Sequence, residues 1–167
     1  MATTNNATIQ RTPIQHGGIT KGVAIVKITH ADLTAAATTQ SITWANAVAA
    51  HPIGATSVPA RSRVCGAHIR RITDFSGGSV SALVIDLGDA GDTDELIDGL
   101  DLYTGAKATA AVSVGNGVYT LRTFEAAAYG AQILFTATGD NVVNLTAGEV
   151  EIAIEYETYE TAAQVLG

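Results

Sequence analysis

The segment EVEIAIEYETY, residues 149 to 159, constrains the fold more than any other stretch of the chain. Val150, Ile152, Ile154 and Tyr156 occupy alternate positions, and Glu149, Glu151, Glu155 and Glu157 fall on the opposite side. A period of two is the strand period, because successive side chains leave a strand on opposite faces. One face must therefore be core, and the other meets solvent or a charged partner.

The same period recurs through the chain. In GVAIVKITH, from Gly22, Ala24, Val26 and Ile28 share one side while Lys27 and Thr29 share the other. QSITW (40 to 44) reads as a short strand anchored by Ile42 and Trp44, and 31 to 40 as a turn or loop whose threonines offset its alanines. The stretch from Asn46 to Ser62, with Pro52, Gly54 and Pro59, reads as a long connection of the kind that joins sheets in Greek-key proteins. RVCGAHIRRITDF (63 to 75) and SVSALVIDL (79 to 87) flank Ser76-Gly77-Gly78, a hairpin signal, and the second run is apolar enough to predict a central strand buried on both faces. Asp92 and Glu95 have capping-box spacing, which predicts a short helix stopped by Gly99. TAAVSV (109 to 114) and VYTLRTFEA (118 to 126) are joined by Gly115-Asn116-Gly117, the strongest hairpin signal in the chain. AQILFTAT (131 to 138) sets Ile133, Phe135 and Ala137 against Gln132, Leu134 and Thr136.

About eight strands in 167 residues with one helix predict an all-β, eight-stranded jelly roll or β-sandwich, as one domain over 21 to 167. Residues 1 to 20 have no sustained period and read as an extended N-terminal arm. No internal repeat of fixed period points to a solenoid or propeller.

Composition narrows function mainly by exclusion. A net charge of -7 argues against nucleic acid as a partner, and no apolar run is long enough for a membrane span. The opening residues lack the basic-then-apolar pattern of a signal peptide. His16, His30, His51 and His68 have no metal-site spacing, and no G-x-S-x-G elbow or phosphate-binding glycine loop is present. Cys65, in mid-strand, reads as a small hydrophobe. No catalytic residue, metal or cofactor is therefore expected. The acidic tract of Asp86, Asp89, Asp92, Asp94, Glu95, Asp98 and Asp101 fails the EF-hand spacing and reads as an acidic helix N-terminus.

Charge is nevertheless unevenly placed. Residues 1 to 73 hold seven bases and the single acid Asp32, whereas 74 to 167 hold two bases and fifteen acids. Arg61, Arg63, Arg70 and Arg71, if they face outward together, would suit the acidic tract of a neighbouring copy; the favoured alternative is that interleaved early and late strands mix these charges within one subunit. Alanine and threonine supply 51 residues and only 15% are charged, a balance that favours self-assembly to cover apolar surface.

ADLTAAATTQSITW, FSGGSVSALVIDLGDAGDTDELIDG and LFTATGDNVVNLTAGEVEIAIEY resemble small β-rich head proteins of tailed bacteriophages, and the whole resembles a capsid decoration, or cement, protein over roughly 20 to 157. The resemblance implies a non-enzymatic jelly roll made in the bacterial cytoplasm and bound to the outer capsid surface, commonly as a trimer. It implies the major capsid protein as partner, with an arm reaching that protein or a neighbouring subunit. Arg11, Pro13, Ile14, Gln15 and His16 are the arm's candidate contacts. Two other readings compete: a host-surface or carbohydrate-binding fibre-type module, disfavoured by one Trp and five Tyr, and a minor tail or connector protein.

Overall fold

A computed structural model describes residues 19 to 51, 57 to 103 and 129 to 159. It contains β1 (Ile19–Thr29), β2 (Thr39–Thr43), the helix α1 (Trp44–Ala50), β3 (Ser62–Ser76), β4 (Ala82–Gly88), β5 (Ile97–Asp101), β6 (Gln132–Thr138) and β7 (Ala147–Tyr159). The strands form two antiparallel sheets, ordered β1-β7-β3 and β2-β6-β4-β5. Pairing is nested: β1 with β7, β2 with β6, and β4 with β5. Seven strands lie among the described residues. The expected hairpin over 109 to 126, with its Gly115-Asn116-Gly117 turn, lies outside them. So does the expected arm up to residue 18, although β1 begins at Ile19, inside the span read as arm.

The core lies between the sheets, and the strand periods determine which side chains enter it. Ala24, Val26 and Ile28 from β1, Ile133, Phe135 and Ala137 from β6, and Val150, Ile152 and Ile154 from β7 are buried as their alternation predicts. β4 is central in its sheet, but its burial alternates. Leu83, Ile85 and Leu87 are fully buried whereas Ala82, Val84 and Asp86 are half-buried, because the sandwich covers only one side of the sheet.

Three local expectations change. The helix falls at Trp44–Ala50 rather than after Asp92. Thr43 caps it by accepting from the Asn46 amide at 3.3 Å, and the alanine-rich sequence WANAVAA sustains it while burying Trp44 and Ala47. After β4 the chain turns instead, with Asp89 Oδ1 accepting from the amides of Gly91 and Asp92 at 2.7 and 3.0 Å. Leu96 and Ile97 are thereby delivered to the core and β5 pairs with β4, which a single helical turn in this stretch would prevent.

The pair Gly77-Gly78 does not make a β-hairpin either, since β3 and β4 belong to different sheets. It carries the chain across the sandwich with φ of 135° and 58°. A Cβ on Gly77 would stand 2.4 Å from the Thr146 amide nitrogen, so the crossing depends on close backbone approach. Asp140 fixes the same corner by accepting from the Ser79 and Asn141 amides and from Asn144 Nδ2, and these bonds hold its carboxyl below the usual range.

Gly148 shows how closely β7 packs under the Phe75 ring of its neighbouring strand β3. Its φ is +136°, and a Cβ there would lie 2.2 Å from the fully buried Phe75 ring, which packs 6.3 Å from Phe135. Gly148→Ala is expected to cost about 2–4 kcal/mol, from overpacking plus an unfavourable backbone conformation. Gly130→Ala, where a Cβ would meet nothing within 4 Å, serves as control. Denaturant unfolding checks this, and equal midpoints for the two variants would refute the packing account.

Candidate functional site

The outer face of the β1-β7-β3 sheet carries the most regular charge array among the described residues. β7 is its middle strand, so each outward glutamate has a neighbour on either side. Glu149 pairs with Lys27 of β1 at 2.9 Å, and Glu151 with Arg70 of β3 at 3.0 Å. Glu155 lies 3.1 Å from His68. Glu157 accepts from Arg63 Nε and a terminal guanidinium nitrogen at 2.9 and 2.6 Å, with Lys21 at 3.6 Å on the far side. The charged partner that the glutamates required is thus the protein's own flanking strands, the arrangement favoured from the sequence.

Each exposed pair contributes little, about 0–1 kcal/mol. The array matters more through what it prevents, since carboxylates at alternate positions on one strand face would otherwise repel one another. Arg63 beside Glu157 holds that carboxyl below its usual range against the opposing effect of desolvation, while the same contact raises the guanidinium.

The four arginines singled out from sequence separate in the fold. Arg63 and Arg70 belong to this array. Arg71 points inward: its side chain is only 4% exposed, contacts Asp74 at 3.1 Å and donates to the Tyr103 carbonyl at 2.7 Å. The register shift between Val64 and Gly66 accounts for its place on the inner side, in step with Ala67 and Ile69. Arg61 is exposed with φ +61°, and among the described residues it forms no ion pair. Arg11, Pro13, Ile14, Gln15 and His16 lie outside the described residues.

Cys65 is not the buried hydrophobe expected of a mid-strand thiol. It sits at the bulge between Val64 and Gly66, which turns it outward, and partial desolvation and the Glu157 carboxylate push its thiol up. The acidic tract serves backbone turns rather than a helix terminus. Asp86 accepts from the Gly99 amide at 2.6 Å and Asp101 from the Tyr103 amide at 2.8 Å, while a hydrogen bond shared with Asp94 pushes the Asp92 carboxyl up. Among the described residues no group of three or more His, Cys, Asp or Glu side chains is placed to hold a metal, and no helix is long and apolar enough to cross a membrane.

A second feature had no motif to announce it. At the far end of β1, a cavity of about 350 Å³ opens between Ile28, Asp32, β2 and α1. Oδ2 of Asp32 accepts from the Thr29 amide at 2.7 Å and the Thr29 hydroxyl at 2.9 Å, and bonds His51 Nε2 at 2.8 Å. Burial works against ionisation, but these bonds prevail and hold the carboxyl below its usual range. Asp32 and His51 are 19 positions apart, and the one sequence signal was that Asp32 is the sole acid in the first 73 residues.

No protein-family model and no curated protein matches the chain. Among solved structures, it aligns with a chain from the cyanophage Pam1 capsid asymmetric unit at a TM-score of 0.56 and 18% identity, covering 95% of this chain and 99% of that one. The two chains share a fold. An alignment with Yersinia pseudotuberculosis TcaA-TcaB, at a TM-score of 0.37 and 8% identity, covers 84% of this chain but 10% of that one and is too loose to bear on the fold.

Asp32 and Glu157 define a pH dependence. A carboxyl whose folded pKa is lowered adds stability that is present above its unfolded value, about 4, and is lost as pH falls through the folded value. Wild-type stability should therefore decline below about pH 5 more steeply than that of Glu157→Gln or Asp32→Asn. Urea unfolding between about pH 3 and 7 measures it, and parallel curves for all three proteins would contradict the assignment.

Proposed function

We propose that the chain is a non-enzymatic structural protein of a tailed-bacteriophage virion, bound to the outer capsid surface as a decoration or cement protein and trimeric there. The observation that carries this reading is the end-to-end alignment with a single chain of a phage capsid assembly, 95% against 99%.

The finer fold assignment belongs to the same reading. Nested pairing of first strand with last and second with next-to-last supports the jelly-roll reading. Support for a passive role comes from the charged side chains of the outer sheet face, which are committed to one another across strands. A cement protein needs many repeated contacts and no turnover, and several arms linked in one oligomer raise avidity because later engagements become intramolecular. Arg61 and the N-terminal segment with Arg11, Pro13, Ile14, Gln15 and His16 are the proposed contact residues; Arg63, Arg70 and Arg71 are engaged within the subunit.

Purified protein added to phage heads that lack it should cosediment with them, appear on their outer surface by cryo-electron microscopy in threefold clusters, and raise the temperature at which they release DNA. Failure to bind heads at micromolar concentration would overturn the reading. Location at a single vertex would replace it with the connector alternative.

A further inference from the structure

The cavity beside Asp32 combines a rigidly held carboxylate with polar groups that the fold leaves unused. The Thr29 amide, the Thr29 hydroxyl and His51 Nε2 all bond Oδ2 of Asp32, and Oδ1 receives no donor from the described residues. Gln40 braces the loop that follows: its side chain donates to the Asp32 carbonyl and accepts from the Ala35 amide, both at 2.8 Å. The carboxylate is thus fixed through one oxygen, and the other remains for an outside donor. Thr34, Ser41 of β2 and Asn46 of α1 line the same cavity. Ser41 donates to Gln132 Oε1 at 3.1 Å and so offers only lone pairs, while the Thr34 hydroxyl and the Asn46 carboxamide have no partner among the described residues. Ile28, Ile42 and Ala47 supply apolar lining between them.

We propose that this cavity binds a neutral hexose unit of a glycan, with Asp32 Oδ1 accepting from one sugar hydroxyl and Thr34 and Asn46 engaging its neighbours. A hydroxyl both donates and accepts, so adjacent hydroxyls on one ring can serve a carboxylate oxygen, a hydroxyl and a carboxamide together, while ring C–H groups cover the aliphatic lining. One carboxylate with no Lys, Arg or His among the described lining residues disfavours an anionic ligand. A simple cation would satisfy Asp32 and leave the Thr34 and Asn46 side chains unused. The volume of about 350 Å³ is near the small end of ligand pockets, about 300–1,000 Å³, and suits one ring rather than an extended chain. The few aromatics of the sequence argue against a stacking platform, not against hydroxyl recognition of this kind. Without such a platform a single site should bind weakly, with a Kd of about 1 mM. Many copies on one particle would convert that into adhesion through avidity. Sugar binding by the isolated chain requires no shell, so this inference and the proposed virion role fail separately.

Amide NMR spectra of the labelled full-length chain, titrated with the methyl glycosides of glucose, galactose and mannose, test the assignment. At least one sugar should shift the amides of Asp32, Thr34, Ser41 and Asn46 in a saturable way. Asp32→Asn should weaken that binding about tenfold or more, the loss typical of a bond to a charged group. Because Asp32 also holds Thr29 and His51, Thr34→Ala and Asn46→Ala provide the independent check: both remove exposed side chains with no partner among the described residues, and each should weaken binding about two- to tenfold while leaving the urea midpoint unchanged. Methylammonium chloride, the cationic probe, should not displace the sugar. No saturable shift with any of the three sugars at about 50 times the expected Kd, shifts confined to other parts of the chain, full binding by Thr34→Ala and Asn46→Ala, or displacement by methylammonium would each overturn the proposal.

Discussion

The rest of the structure depends on β7 being the middle strand of its sheet. Its inner side supplies Val150, Ile152 and Ile154 to the core, and its outer side carries glutamates that need cations within reach. Only a strand flanked on both sides meets the two demands together, because each neighbour adds apolar surface below and bases above. β1 brings Lys21 and Lys27; β3 brings Arg63, His68 and Arg70. The first and last strands are thus held together by contacts of the longest sequence separation, and β2, β4, β5 and β6 form the second sheet.

That arrangement also resolves the charge asymmetry of the sequence. A basic first half and an acidic second half read as two opposed surfaces only when the chain is laid out linearly. Folding interleaves them, and the bases of β1 and β3 meet the glutamates of β7 across strand pairs. What survives is local: among the described residues, Arg61 in its left-handed turn forms no ion pair and Asp32 Oδ1 has no donor.

The proposed virion role fits this economy of chemistry. The exposed thiol of Cys65 is pushed toward its protonated, less reactive form by partial desolvation and the Glu157 carboxylate. A module whose polar groups are spent on each other and on its own turns is suited to endurance.

By itself the sequence determined the strands whose alternation is strict, β1, β6 and β7, together with the faces they bury, because a period of two needs no information from elsewhere in the chain. It also determined that early bases and late acids would have to meet if those strands interleaved. Tertiary structure alone decided the remainder. Asp92 and Glu95 carry a helix signal, yet Leu96 and Ile97 are needed in the core and β5 forms instead; Gly77-Gly78 carries a hairpin signal, yet the crossing between sheets uses it for close approach to Thr146. Arg71 and Cys65 exchanged their expected surroundings because bulges in β3 shift which residue faces inward, and a one-residue shift reverses every side chain beyond it. The Asp32 groove joins residues from β1, β2 and α1, so it exists only once those elements have packed.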